Sequence, residues 1–237
     1  YLPDGTQQVQ VRDTPQSPWR VIETWGPQEN LGRLIAFRPD GKALWLLSSV
    51  GANTSQLVEI DLTSSFRKIL ASHAQYDIAD VLLSPPTGQI QSVATLRDHP
   101  VWSPKLGPVP DFGTVLSRDA TDRYLSFAES SPERPPRYFL YDRTTRQKTT
   151  LSDSRPDLSN RGLSPIKGVA FAARDGLMLH GYMTRAKRTQ LPAPMVLLVH
   201  GGPWVRDTLA YSPTVQFLAN RGYVVLQVNY RGSSGYG

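Results

Sequence analysis

Met195-Val196-Leu197-Leu198-Val199-His200-Gly201-Gly202 is an apolar run that ends in a histidine and two glycines. Such a run reads as a buried parallel strand whose C-terminal end meets a tight loop, the position at which open α/β sheets hold their ligands. Histidine can move a proton or orient a neighbour, and glycine lets backbone amides come close to a ligand. The combination reads as half of an active site. A serine nucleophile on such a sheet sits in a G-x-S-x-G turn after a later strand, and no such pentapeptide occurs in the 237 residues. Chemistry prepared at Gly201 and Gly202 is therefore expected to be completed outside this chain.

The other polar candidates give less. Arg231-Gly232-Ser233-Ser234-Gly235 also follows an apolar strand, yet it lacks the lysine of a Walker loop and the G-x-G-x-x-G spacing of a dinucleotide site. Ser233 and Ser234 do not have the glycine spacing of a nucleophile elbow and no base is placed to activate them, so they read as polar loop residues. His73, His99 and His180 match no metal-ligand spacing and read as structural histidines. The chain contains no cysteine, which excludes disulfides and thiolate metal sites and leaves the compartment, cytoplasmic or periplasmic and secreted, undecided. Neither a cofactor nor a metal is called for.

Holding the glycine loop requires a parallel sheet, and the neighbouring sequence supplies its parts. Ser212 and Pro213 form an N-cap and a first helical position, Val215, Leu218 and Ala219 share one face, and Gly222 ends the helix. Residues 223–229 form a second apolar strand. Strand, helix and strand make a βαβ unit, which is right-handed and implies parallel pairing. Upstream, residues 169–173 and 177–184 flank Arg174-Asp175-Gly176 as a hairpin, and a basic, proline-containing connection over 185–194 leads to the first strand.

Residues 1–165 read as short strands separated by turns. Pro3-Asp4-Gly5 precedes an alternating stretch over 7–11. Residues 34–37 and 43–47 flank Arg38-Pro39-Asp40-Gly41, where proline presets φ and glycine accepts positive φ. Weaker echoes at Leu83-Ser84-Pro85-Pro86-Thr87-Gly88 and Leu116-Ser117-Arg118-Asp119 recur at intervals near the ~40 to 45 residues of a propeller blade. On pattern alone sandwich and propeller both stay open, and only three or four blades' worth of sequence is present. The Ser-, Pro- and Asp-rich stretch over 152–167 marks a boundary, giving domains 1–165 and 166–237. The chain opens at Tyr1 inside what already reads as β structure, so its N-terminus is expected to be an excerpt boundary or a processing site.

Composition agrees with a folded, β-rich chain: 39% hydrophobic and 19% charged residues, with 20 prolines and 18 glycines. The net charge of +6 raises the question of nucleic acid. The densest basic region, 134–148, is interrupted by Pro135, Pro136 and a strand-like stretch over 138–141 and carries no binding motif, so it reads as solvated loop charge. No run reaches the roughly 18 apolar residues of a membrane helix.

His200-Gly201-Gly202-Pro203-Trp204 and Asn229-Tyr230-Arg231-Gly232-Ser233-Ser234-Gly235-Tyr236-Gly237 together resemble the prolyl oligopeptidase family of serine peptidases, in which a β-propeller precedes an α/β-hydrolase domain. The first motif is similar to the acylaminoacyl-peptidase and dipeptidyl-peptidase branches. The resemblance is strong over 165–237 and diffuse over 1–165. It implies a β-propeller portion followed by the N-terminal part of an α/β-hydrolase domain with a mixed, mostly parallel sheet. It further implies that Gly201 and Gly202 form the oxyanion loop, whose backbone N–H stabilises a tetrahedral intermediate. Taken alone, the glycine pair reads as a tight strand-to-helix turn; the βαβ context and the terminal motif favour the catalytic role. The family's general base lies near the end of its hydrolase domain, so His200 is expected to orient the loop. Pro203, Trp204, Tyr230 and Arg231 are expected to support the loop or line a substrate pocket, with Trp204 packed beneath it.

The expected activity is that of a serine-type peptidase acting on short peptides through an acyl-enzyme, with serine, aspartate and histidine beyond residue 237 and the chain inactive by itself. A noncatalytic propeller interaction module and an α/β-hydrolase esterase are the alternatives. Expected partners are a short peptide and the remainder of the hydrolase domain or a companion chain, without nucleic acid or membrane; homo-oligomerisation stays open. The strand over 195–199 is expected to present an apolar open edge in the absence of those residues.

Overall fold

The computed structural model describes residues 1–237 except 27, 28, 30, 31, 106, 159, 160, 203 and 237. The chain divides into two compact units. One comprises Tyr1–Arg97, Val101–Pro104 and Gly235–Gly237, and the other Asp98–Pro100 and Lys105–Ser234.

In the first unit β1 (Gln7–Val11) pairs antiparallel with β2 (Arg20–Trp25). An antiparallel meander follows, made of β3 (Arg33–Phe37), β4 (Ala43–Ser48), β5 (Gln56–Asp61) and β6 (Arg67–Ala71), and then a three-stranded sheet of β7 (Ile78–Leu83), β8 (Ile90–Leu96) and β9 (Pro100–Ser103). All six residues of β4 are buried, because side chains alternate across an inner strand and both faces are covered. Leu44 and Leu46 join Val11, Trp25, Val58 and Ile60 on one side. Trp45 and Leu47 join Leu57, Ile78 and Val81 on the other.

The β3–β4 turn is fixed by its own chemistry. Arg38 N–H donates to the Ala43 carbonyl at 2.8 Å, and Gly41 holds φ at 72°. The Asp40 carboxylate accepts from Arg38 Nε at 2.8 Å and Nη2 at 2.9 Å and from the Lys42 N–H at 3.0 Å. These bonds, the Arg38 ones foremost, hold its pKa down to about 2.

In the second unit β10 (Gly113–Arg118), β11 (Tyr124–Ser131), β12 (Arg134–Asp142) and β13 (Gln147–Asp153) form another antiparallel meander. Pro135 and Pro136 do not interrupt it. They occupy the start of β12, opposite a register shift at Glu129/Ser131 where regular pairing has lapsed, a position at which a missing N–H is tolerated. Three of the five basic residues over 134–148 are paired: Lys148 with Glu129 at 2.8 Å, Arg137 with Asp153 at 3.4 Å and Arg143 with Asp122 at 3.6 Å. The intervening loop is shorter than its composition suggests, since β13 extends to Asp153 and β14 begins at Ile166.

The last sheet contains β14 (Ile166–Ala172), β15 (Met178–Thr184), β16 (Met195–Leu198) and β17 (Val224–Asn229), in the order β14-β15-β17-β16. The β14–β15 and β15–β17 pairs are antiparallel and only β16–β17 is parallel, so among the described residues this sheet is mixed but mostly antiparallel, where a mostly parallel one was expected. Helix α1 (Pro213–Asn220) connects β16 to β17. Its Ser212 cap accepts the Val215 N–H, and Gly222 follows at φ 93°. Val215 and Ala219 pack on Val225, with Leu198 and Leu218 alongside. The apolar run does not make β16 a buried strand; the open edge expected for it is what the sheet has. β17 takes the inner place, so β16 lies at the sheet edge with Met195 59% and Leu197 56% exposed. Among the described residues the sheets form no closed barrel, and no helix is long and apolar enough to cross a membrane.

Candidate active site

The glycine loop emerges from the C-terminal end of β16, beside the end of β17 that carries Asn229 and Tyr230. Parallel pairing brings the two motifs together although about thirty residues separate them in the chain. His200 donates from Nδ1 to the carbonyl oxygen of Gly201 at 2.7 Å, since a carbonyl can only accept. In the neutral ring Nε2 then accepts from the Ser233 hydroxyl at 2.9 Å. The imidazole stacks on Tyr230 with centroids 4.4 Å apart and planes 19° apart. The Tyr230 hydroxyl is directed at the carbonyls of His200 (3.0 Å) and Gly201 (3.3 Å). Both imidazole nitrogens are thus engaged in holding the loop, which suits the orienting role and not that of a general base.

These bonds act on one peptide unit. The Gly201 carbonyl and the Gly202 N–H belong to the same planar trans peptide and point in opposite directions. By fixing the carbonyl, His200 and Tyr230 direct the Gly202 N–H away from themselves. Gly202 has φ 137°, and a Cβ there would lie 3.0 Å from Trp204 N and from Val205 Cγ2. Glycine is required on both counts. Gly201 shows no such need, because among the described residues a Cβ there meets nothing within 4 Å. Both glycines are exposed.

Other expected site residues go elsewhere. Trp204 is 67% exposed and not packed beneath the loop. Arg231 reaches the Asp175 carboxylate in the β14–β15 turn. There the carboxyl pKa is lowered by the Leu177 N–H and then by Arg231. Pro203 lies outside the described residues. Ser233, read from sequence as loop polarity, is buried and holds His200. Asn229, also buried, was not singled out for its side chain. A polar residue closing an otherwise apolar strand beside a glycine loop was the available signal. Among the described residues no group of three or more His, Cys, Asp or Glu is placed to hold a metal ion.

No family model matches the sequence. Dipeptidyl aminopeptidase BIII of Pseudoxanthomonas mexicana is 38% identical over 217 residues, covering 84% of this chain and 32% of that protein. Dipeptidyl peptidase family member 6 of Caenorhabditis elegans is 34% identical over 265 aligned residues, covering 96% and 36%. The structure of a Mycobacterium tuberculosis puromycin-hydrolyzing peptidase matches with a TM-score of 0.73 at 19% identity, over 100% of this chain and 39% of that one. The chain spans about a third of the length of these curated relatives. Sequence likeness, fold likeness and the paired motifs agree: the chain belongs to the prolyl oligopeptidase family of peptidases, on the side of its dipeptidyl-peptidase and acylaminoacyl-peptidase members, and corresponds to part of such a protein.

Proposed function

We propose that the whole protein is a serine-type peptidase that cleaves short peptides through an acyl-enzyme, and that this chain supplies its oxyanion loop. Residues 1–165 are then part of a β-propeller that restricts access to small or unfolded peptides. Residues 166–237 are the N-terminal part of an α/β-hydrolase domain. The single observation that carries the reading is the Gly202 peptide: a left-handed glycine just after a parallel strand, its preceding carbonyl held by His200 and Tyr230 and its N–H therefore pointing away from those two side chains.

In the reaction a serine Oγ, deprotonated by a histidine, bonds to the substrate carbonyl carbon, and the π electrons move onto the carbonyl oxygen. The Gly202 N–H donates to that oxyanion, aided by its fixed orientation. Collapse re-forms the carbonyl and breaks the C–N bond, and the amine leaves with the proton from histidine. Water then hydrolyses the ester by the same steps. Serine, aspartate and histidine lie beyond residue 237 in this reading. The exposed apolar edge of β16 supports it, since Met195 and Leu197 suit cover by a further strand of the domain or by a companion chain.

The test is to treat the whole protein with a fluorophosphonate and with dipeptidyl and N-acyl-aminoacyl p-nitroanilides. Labelling of one serine in a G-x-S-x-G turn together with amide hydrolysis is expected, while the 237-residue chain alone stays unlabelled. A whole protein that is neither labelled nor active overturns the reading, and hydrolysis of esters without amides favours the esterase.

A further inference from the structure

The segment over 205–209 that follows His200 and the glycines is anchored by its own set of hydrogen bonds. Asn229, 3% exposed at the end of β17, accepts the Asp207 N–H on Oδ1 at 2.8 Å and donates from Nδ2 to the Asp207 carbonyl at 3.0 Å. Its amide therefore clamps both backbone groups of one residue. Arg206 donates from Nε to the same Asp207 carbonyl at 3.1 Å and from Nη2 to the Tyr182 hydroxyl at 3.3 Å. Tyr182, 1% exposed, donates in turn to Asp98 Oδ1 at 3.2 Å. The Val205 carbonyl accepts the Ser234 N–H at 3.1 Å, and the Asp98 carbonyl accepts the Leu209 N–H at 2.7 Å.

This limb backs directly onto Gly202, where Val205 N and Cγ2 lie 3.4 Å and 3.0 Å from the position of a Cβ. A shift of residues 205–207 is therefore transmitted to the Gly202 peptide, whose N–H gains most from being correctly placed before charge develops. We propose that Asn229, with Tyr182 behind Arg206, is a positioning residue for the Gly202 amide: β17 holds the loop upstream through Tyr230 and downstream through Asn229. The inference rests on the oxyanion reading above. A buried amide with both ends bonded also stabilises a core, and the two roles separate in kinetics.

The experiment compares Asn229→Asp, Asn229→Ala and Tyr182→Phe in the whole protein, with active sites counted by fluorophosphonate titration. Asn229→Asp keeps the shape and the Oδ1 acceptor but replaces the donor to the Asp207 carbonyl with a second acceptor. Per titrated site, kcat is expected to fall about tenfold or more with KM within about twofold, since the lost interaction is felt in the transition state. Tyr182→Phe keeps the buried ring and is expected to lower kcat severalfold, deciding the matter if the Asn229 variants do not fold. Wild-type kcat per site in the folded variants, or a loss confined to KM or to the folded fraction, overturns the inference. A wild-type protein with no peptidase activity instead removes the oxyanion reading itself, a separate outcome.

Discussion

The β3–β6 sheet and the β14–β17 sheet are both four-stranded, and they are held together in different ways. In the first, β4 is buried along its whole length between two apolar clusters, and the turn at Asp40 and Gly41 is satisfied by its own neighbours. In the second, β16 lies at an edge with apolar side chains exposed, and buried polar groups on it and beside it are hydrogen-bonded: Asn229, and next to the sheet Gln216 and Ser233. Apolar burial is non-directional and stabilises without specifying geometry. Buried hydrogen bonds contribute less net stability but fix angles, and they are costly to leave unpaired. The difference marks one sheet as scaffold and the other as the place where a loop is aimed.

The contrast makes graded predictions. Leu46→Ala, in the middle of the fully buried strand, is expected to cost about 2–5 kcal/mol, read as a fall in the denaturation midpoint. A loss below about 1 kcal/mol would contradict the apolar account of that sheet. Gln216 exchanges bonds with both Ser164 backbone groups, at 2.8 and 2.9 Å, and also donates to the Pro132 carbonyl at 3.3 Å. Gln216→Leu strands those groups and is expected to cost about 1–3 kcal/mol, with a neutral result breaking the polar half of the comparison. Gly41→Ala places a side chain at φ 72° with nothing within 4 Å, so only the backbone penalty of about 1 kcal/mol is expected.

The smallest effect is a pH dependence. His99 stacks on Phe112 at 4.1 Å with a buried Nδ1 that has no hydrogen-bond partner among the described residues. Desolvation lowers its pKa, against the opposing charges of Asp111 and Asp98. The unfolded chain therefore binds more protons, and this contribution to stability is present above pH ~6.5 and lost as pH falls through the lowered folded value. The melting temperature is expected to drop slightly more between pH 7 and pH 5 in the wild type than in His99→Phe. Identical slopes would remove His99 from the account.

What was legible in the sequence was local. Pro39-Asp40-Gly41 and Arg174-Asp175-Gly176 announce their hairpins through turn chemistry, and Ser212, Pro213 and Gly222 bracket the helix, because neighbouring residues decide those conformations. The parallel pairing of the two apolar strands followed from the same logic. What was not legible depended on sheet order. The edge position of β16 was expected only through the sheet order that the resemblance implies; it follows from β17 inserting beside β15, and the apolar run itself gives no sign of it. Pro135 and Pro136 read as breaks because the register shift opposite them lies on another strand. Arg231 and Ser233 could not be assigned, as their partners Asp175 and His200 are reached only through the folded sheet.

The most direct measurement compares Gly202→Ala with Gly41→Ala in the whole protein, as kcat per fluorophosphonate-titrated site. Both glycines hold positive φ, so both variants are strained, but only Gly202 carries the proposed oxyanion donor. The account predicts that Gly202→Ala lowers kcat roughly tenfold or more, while Gly41→Ala lowers the melting temperature and leaves kcat within about twofold. Wild-type kcat in Gly202→Ala, or an equal loss in both variants, would contradict it.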